Sequence, residues 1–440
     1  MRAARYTHQQ HNKVQMNTEA QFVFNTLSFL LWGGLVMWMA AGFTMLESGS
    51  VRTKNASVIC LKNIGLYSIA GLTFYLIGYN LMYTDVSGLI GKFKLFYHAS
   101  ADEIALLDGQ EAVLENVLGL GQSTMANWFF QMVFVATAAS IVSGALAERV
   151  NLWAFFIFTT VLTAFIYPVV GAWTWGEGWL YEMGFYDFAG STIVHGTGGW
   201  AALAGAIVVG ARLGKFRKDG TVRATPPSSV PVVTLGVFIL WFGWFGFNGG
   251  SQLALGSAVD ATSMAHVLVN TNLAGAAGVL ASIAVARPIL GRFDLFAALN
   301  GAIAGLVAIT AGPEMANHYW AIIIGAVGGV VCVSAIRVLE AIHVDDVVGA
   351  VPAHLFAGVW GTVAVAITNP EVNVLVQLLG VLSIGVFVFG ISWLLWKGID
   401  VVVGARVSRQ VEKLGQDVAE LGIEAYPEFV LMPEPDDEDE

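Results

Sequence analysis

Long apolar stretches separated by short polar segments dominate the chain. A bilayer core of about 30 Å needs about 20 apolar residues in helical form, and eleven stretches have a suitable length. Some contain glycine, asparagine or histidine, which blurs their ends but not their number. They lie near residues 22–46, 62–83, 127–147, 152–170, 191–210, 231–255, 264–286, 296–312, 319–337, 348–368 and 374–396. The pattern therefore predicts an all-α polytopic membrane protein with eleven transmembrane helices.

The composition agrees with this prediction. Of the 440 residues, 56% are apolar and only 12% are charged, against about 25% charged in a soluble domain. A soluble enzyme, a coiled coil and a disordered chain are all excluded on these grounds. No nucleophile–base arrangement stands out, so we predict no enzyme, and the sequence indicates no cofactor.

Basic residues indicate the orientation of the helices. The connections on one side, beginning after the first span and including the tail, hold 16 of the 21 lysines and arginines, and the other side holds five. Basic residues favour the cytoplasmic side, so we expect the N-terminus outside and the C-terminus inside. The predicted parts are an external segment 1–21, a transmembrane domain 22–397 and a cytoplasmic tail 398–440.

The tail is strongly acidic. From Lys397 onward it holds four basic and twelve acidic residues, and Asp436 to Glu440 are all acidic. Nucleic acid is not expected as a partner, since phosphate binding needs a basic face.

A repeated motif points to the centre of the bundle. The fifth span opens with Asp187 and has His195 eight residues later, while the tenth opens with Asp346 and has His354 eight residues later. Eight helical residues rise about 12 Å. If spans 1–5 and 6–10 form an inverted 5+5 repeat with one further helix, the two imidazoles meet near the midplane.

These histidines have more than one explanation. A single intramembrane histidine is about as often a packing residue as a functional one. Two at matching positions of an inverted repeat favour a pore or substrate role, because polar groups at this depth are costly. A metal site is not predicted, because two histidines leave too few ligands.

The two aspartates precede the histidine helices. We interpret Asp187 mainly as a helix N-cap, since a carboxylate accepts N–H bonds and suits the helix dipole. Asparagine caps nearly as well, so Asp187→Asn is expected to be mild. Asp346 receives the same interpretation and no transport role.

Several segments together resemble the ammonium transporter (Amt) family of the Amt/Rh superfamily. They are LESGSVRTKNA (46–56), SGALAERV (143–150), DFAGSTIVHGTGG (187–199), WFGFNGGS (244–251), NGAIAGLVAITAG (300–312) and DDVVGAVPAHLFAGVWG (345–361). They occur in the family's order, and the resemblance covers the chain from about residue 30 to 426.

The resemblance implies a homotrimer in the plasma membrane, in which each subunit takes up ammonium or ammonia through its own narrow pore. By motif position, Phe134, Trp175 and Ser251 match an external recruitment site, and Phe134 with Phe247 matches a stacked gate. His195 and His354 match the pore histidines, and Asp187 matches an acidic residue beside the recruitment site.

Each assignment has a physical reason and a plainer alternative. An aromatic face attracts ammonium by about 0.5–2 kcal/mol, and the Ser251 hydroxyl can accept one of its N–H bonds. Without the resemblance, Trp175 would be interpreted as an interfacial belt residue. Phe134 and Phe247 would be interpreted as ordinary packing among 27 phenylalanines.

The tail departs from the family pattern. It keeps Gly415, Asp417, Gly422 and Tyr426, but Leu421 stands where the family usually has histidine. The resemblance implies a PII-type regulatory protein as a cytoplasmic partner, and this departure weighs against that partner.

Two further functions stay open at this point. One is an ammonium sensor that uses the same fold, although sensors usually carry an added cytoplasmic signalling domain and only about 43 residues follow the last span. The other is a Rh-like ammonia channel, against which Trp175 and Phe134 argue, because such channels lack the aromatic recruitment site.

Overall fold

The computed structural model describes residues 2–219 and 221–427, with side chains described from Thr18 onward. In these ranges the chain forms helices and connecting segments, with two isolated β-bridges and no strand. The acidic run Asp436 to Glu440 lies outside the described residues.

Ten helices in the described ranges are long and apolar enough to cross a membrane, and an eleventh apolar helix is shorter. We number them α1–α11 in chain order. They are α1 Thr18–Ser50, α2 Thr53–Tyr83, α3 Glu111–Ala145, α4 Leu152–Glu182, α5 Ser191–Val209, α6 Val230–Gly250, α7 Ala258–Leu290, the shorter α8 Leu295–Ile309, α9 His318–Ala341, α10 Val351–Thr368 and α11 Val374–Val403. The predicted all-helical, multi-span fold is confirmed.

Each end of the bundle carries its own connecting segments. At one end, which we call the loop end, residues 84–110 lie beside the end of α4, and the backbone N–H of Trp179 donates to the Gly88 carbonyl at 2.9 Å. At the opposite end, which we call the tail end, residues 404–427 pack against the beginning of α2. There the carboxylate of Asp417 accepts the N–H groups of Ser57 and Val58 at 2.8 and 2.7 Å.

Glycines let helices α7, α8 and α9 approach closely. A Cβ atom on Gly305 of α8 or on Gly325 of α9 would collide with the carbonyl of Ala274 on α7. Small residues allow backbones to touch where burial of apolar surface gives little drive for helix association. The three helices therefore form one tightly packed unit on one side of the centre.

A buried ionic network braces the tail end. The guanidinium of Arg212 pairs with Asp345 at 2.8 Å and with Glu148 at 3.4 Å, and Arg149 donates to the Asp345 carbonyl. Burial alone would raise the pKa of Asp345, but Arg149 and Arg212 hold it well below its usual range. The segments between α3 and α4, α5 and α6, and α9 and α10 are thereby tied together.

Candidate functional site

The start of α5 is organised by Asp187. Gly190 has a φ of 108°, a left-handed conformation that favours glycine, and it turns the chain back over the carboxylate. One oxygen of Asp187 accepts the N–H groups of Gly190 and Ser191 at 3.1 and 2.8 Å. The other accepts those of Thr192 and Ile193 at 2.8 and 2.9 Å. Both oxygens are therefore fully used in capping.

Burial raises the pKa of Asp187 to about 6, although these four backbone hydrogen bonds act to lower it. Asp187 is buried, with 5% of the residue exposed, and its carboxylate faces the helix backbone. The carboxylate of Asp187 therefore acts as a helix cap. The backbone carbonyl of Asp187 accepts the indole N–H of Trp175 at 3.0 Å and holds the indole in place.

The start of α10 repeats this arrangement from the tail end. Gly349 has a φ of 78°, and the carboxylate of Asp346 accepts the N–H groups of Gly349 and Val351 at 3.0 and 2.7 Å. Both helices then begin with a π-helical turn, Ser191–Gly196 in α5 and Val351–Phe356 in α10. Such turns are frequent at functional sites, and each of these contains one of the two histidines.

The structure brings the two histidines together. The Nδ1 atoms of His195 and His354 lie 3.2 Å apart, and the ring centroids are 5.2 Å apart with 28° between the planes. His195 is fully buried and His354 is 3% exposed. The Nε2 atom of His195 has no hydrogen-bond partner among the described side chains and backbone. At this distance one ring can donate an Nδ1–H bond to the other, and the Nε2 atom of His195 stays available.

Two phenylalanines stack beside His195. The rings of Phe134 and Phe247 have centroids 4.0 Å apart and planes 26° apart, and Phe247 lies 5.2 Å from the His195 ring. Both phenylalanines are buried. The stacked rings therefore lie between Trp175 and His195 in a series of ring contacts.

The other predicted residues surround the stack on its loop-end side. Trp175 is half-buried, and its ring lies 6.0 Å from that of Phe134 in an edge-on arrangement of 80°. The hydroxyl of Ser251 donates to the carbonyl of Phe247 at 2.8 Å, one turn back on α6, so its lone pairs stay free to accept. Ring contacts thus connect Trp175 to His354 through the two phenylalanines and His195.

Sequence analysis missed Trp244. Its indole stacks on His195 at 4.9 Å and 20° and lies 6.5 Å from His354 with 15° between planes. Its N–H donates to the hydroxyl of Thr310 at 2.8 Å. The sequence does indicate this position, because Trp244 lies three residues before Phe247 and residues three apart share a helix face.

Phe130 was also missed. Its ring lies 4.7 Å from that of Phe134, one turn away on α3, and it is 1% exposed. The absence of a side chain at Gly250 makes room for it, since a Cβ there would collide with the Phe130 ring. Phe130 therefore fixes the position of Phe134 against the end of α6.

Comparisons with known proteins agree with one another. A family model described as Ammonium Transporter Family matches residues 27–426. Ammonium transporter Amt2 of Archaeoglobus fulgidus is 37% identical over 432 residues, covering 91% of this chain and 88% of that protein. A putative ammonium transporter of Synechocystis sp. is 39% identical over 408 residues, covering 92% and 89%.

Solved structures are similar over almost the whole chain. One called "Sensor Amt Protein" aligns with a TM-score of 0.82 at 36% identity, covering 91% of this chain and 98% of that chain. Mep2 from Candida albicans aligns with a TM-score of 0.77 at 25% identity, covering 93% and 92%.

Proposed function

The chain belongs to the ammonium transporter family, and from that premise we propose that it carries ammonium through the bundle along the line from Trp175 to His354. The observation that carries the proposal is the pair of stacked phenylalanines over two buried histidines 3.2 Å apart. Polar residues at this depth are costly and usually mark a pathway.

We place this transporter in the plasma membrane with eleven spans, counting the short helix α8 as one of them. The loop end faces outside and the tail end faces the cytoplasm, because 16 of the 21 basic residues belong to the tail-end side. Residues 1–21 are then external, 22–397 form the transmembrane domain, and 398–440 form the cytoplasmic tail. Exposed apolar side chains on the helices, such as Leu280, Leu382 and Val386, contact lipid or neighbouring subunits of a homotrimer.

Recruitment takes place at Trp175, Phe134 and Ser251. The aromatic faces attract the cation through their quadrupoles, with about 0.5–2 kcal/mol per contact. The Ser251 hydroxyl accepts one N–H bond of the ion. Asp187 supports this site by holding the start of α5 and the indole of Trp175 in place.

Near the gate formed by Phe134 and Phe247 the ion gives up its proton: an N–H bond breaks, its electron pair stays on the nitrogen as the lone pair of ammonia, and a water molecule on the loop-end side takes the proton as hydronium. A bare ammonium ion in an apolar passage has a heavy desolvation cost, and neutral ammonia has a much smaller one. The buried imidazoles of His195 and His354 stay neutral for the same reason. Their shared Nδ1 hydrogen bond fixes the tautomers, and the Nε2 atoms meet the ammonia.

The test is transport by the purified protein in liposomes. Addition of ammonium chloride should give a saturable flux that potassium chloride neither supports nor inhibits. No ammonium flux above that of empty liposomes would overturn the proposal. Electrical recording in the same experiment shows whether the proton accompanies the ammonia.

A sensor is the second candidate, because a solved structure at 36% identity is called "Sensor Amt Protein". A sensor without transport would bind ammonium, measured as a change in melting temperature of the purified protein, and would give no flux. The liposome experiment therefore separates the two functions. The PII-type partner stays a further proposal, tested by binding of such a protein to the chain with and without residues 404–427.

A further inference from the structure

A small cavity lies on the tail-end side of His354. Its walls include Phe43, Glu47, Ser140, Asn300, Val348 and His354. The volume open to the centre of a water molecule is about 10 Å³, which is close to the minimum that holds one water. The cavity is therefore about large enough for one molecule of the size of water or ammonia. Asn300 and Val348 also line a larger cavity of about 200 Å³ at the tail end, so the two cavities share a wall.

Glu47 is a fully buried carboxylate in this small cavity. Its Oε2 atom accepts the Ser143 hydroxyl at 2.6 Å and the Asn63 amide at 3.3 Å, and the Lys62 ammonium lies 3.6 Å away. Its Oε1 atom is buried and has no hydrogen-bond partner in the described part of the chain. One oxygen is thus saturated with donors and the other is left as a strong acceptor.

This arrangement is not expected to increase the folding stability of the protein. A buried ion pair rarely stabilises more than apolar residues of the same volume would, and an unsatisfied buried acceptor adds a further cost. The ammonium of Lys62 also has a hydrogen-bond acceptor other than Glu47, because it donates to the Ser143 carbonyl at 2.7 Å. The free oxygen therefore points to a ligand that carries N–H or O–H groups.

We propose that Glu47 is the residue that stabilises ammonium as it re-forms at the cytoplasmic exit of the pore. This inference rests on the proposed function. Ammonia leaving His354 enters the small cavity and takes a proton from a hydronium ion that arrives from the tail-end cavity. The nitrogen lone pair forms the new N–H bond, an O–H bond of the hydronium breaks, and water is left.

Glu47 remains a carboxylate throughout this step. Its Oε1 atom accepts one N–H bond of the new ammonium ion, and a negative charge in hydrogen-bond contact favours the charged form of the nitrogen. The oxygens of Ser140 and Asn300 supply further acceptors in the same cavity. Without the carboxylate, ammonia in the cavity stays neutral over a wider pH range and returns through the pore more often.

Other titratable groups face Glu47 and have to be considered. Lys62 comes from α2 and His354 from α10, while Cys60 on α2 and Arg149 beyond α3 interact with the pair electrostatically. Lys62 is the group that opposes a cation, so it limits how strongly ammonium is held and allows the ion to leave.

The experiment measures ammonium uptake into liposomes as a function of the pH inside. Glu47→Gln keeps the shape and one acceptor but removes the charge. We expect the internal pH at which uptake falls to half to shift lower by about one unit, while the half-saturating external concentration stays unchanged. An unshifted internal pH profile in this variant would overturn the proposal.

The matched control is Glu314→Gln at the loop end. Glu314 is another carboxylate with one buried oxygen that lacks a partner among the described residues, while its other oxygen accepts the Tyr186 hydroxyl at 2.7 Å. This variant should leave the internal pH profile unchanged. A shift equal to that of Glu47→Gln would contradict a local role of Glu47.

A second variant covers the case in which Glu47→Gln leaves Lys62 unpaired and fails to fold. In the double variant Glu47→Gln with Lys62→Gln, no buried charge is left unpaired. If Glu47 only neutralises Lys62, this double variant regains the parental pH profile and the proposal fails. If Glu47 holds ammonium, the profile of the double variant lies between that of Glu47→Gln and that of the parent, because Lys62 no longer opposes the cation but the carboxylate acceptor is still missing. Should the parent itself carry no ammonium, the proposed function fails instead.

Discussion

The starts of α5 and α10 share one local design in different surroundings. Each has an aspartate cap, a glycine with positive φ, a π-helical turn and a histidine. Around the first, the neighbours are the aromatic rings of Phe134, Trp175 and Phe247. Around the second lies a small cavity with the side chains of Glu47 and Asn300.

The difference indicates how a symmetric backbone gives a directional pathway. The matching helix starts place the two histidines next to each other, and this placement by itself distinguishes no direction. Aromatic faces at one end suit a cation that arrives from water, and a carboxylate at the other suits a cation that has to re-form. Substitutions on each side should therefore have different signatures.

The largest expected effect comes from placing a charge between the two halves. In His195→Asp or His354→Glu a carboxylate would replace a neutral imidazole. A unit charge about 4 Å from a cation contributes about 4 kcal/mol at an effective dielectric of 20, roughly a thousandfold in affinity. Potassium should then inhibit or cross, as measured by rubidium or potassium flux in liposomes.

The comparison also separates these two histidine variants. The charge at His354 adds to that of Glu47 in the same cavity, so potassium should be held more tightly there than at His195. Variants that fold, carry ammonium and exclude potassium as strictly as the parent would contradict the role of neutral imidazoles.

The second effect tests the two caps. Asp187 uses both oxygens for four N–H groups, and asparagine would leave two of them facing an NH₂ group. At Asp346 one N–H group loses its acceptor. Each unsatisfied buried group costs about 1–3 kcal/mol, so Asp187→Asn should destabilise more than Asp346→Asn by about that amount.

Thermal unfolding of the two purified variants in the same detergent measures this difference. Equal losses of stability would mean that the backbone around Asp187 rearranges to accept the amide. The geometry thus changes the expectation from the sequence, because capping preferences alone made asparagine a mild replacement.

The sequence predicts the centre of the site well for a physical reason. The spacing of Asp187 and His195 and of Asp346 and His354 is the same, and helical rise alone places both histidines at similar depths. Apolar length likewise predicts where the helices lie, although the regular helix α8, Leu295–Ile309, is shorter than the stretch expected there.

What the sequence could not predict depends on contacts between helices. Trp244 is one of 14 tryptophans, and only the crossing of α6 and α5 brings it over His195. Glu47 lies in the segment 46–56, which resembles the family. Nothing in that segment indicates that Lys62 and Ser143 saturate one carboxylate oxygen of Glu47 and leave the other free. Pairings between distant segments have no local signal.

A smaller effect is expected at the aromatic entrance. Trp175→Leu removes one cation–π contact, worth about 0.5–2 kcal/mol or roughly two- to thirty-fold in affinity. Uptake should weaken most at low external ammonium, and the internal pH profile should stay parental, which is the reverse of the signature expected for Glu47→Gln. An unchanged half-saturating concentration would make Trp175 an interfacial belt residue.

The smallest effect is expected for Trp244→Phe, which keeps an aromatic face over His195 and removes the N–H donated to Thr310. A neutral hydrogen bond contributes about 0.5–1.5 kcal/mol, so the melting temperature should fall slightly and ammonium flux should stay within about threefold of the parent. Thr310→Val is the matched partner, and the double variant should cost less than the sum of the two because they lose the same bond. The indole lies nearer His195 than His354. The loss of flux from Trp244→Phe should therefore be less additive with the loss from a His195 variant than with the loss from a His354 variant. A stable Trp244→Phe protein without flux would instead assign the indole N–H a direct part in transport.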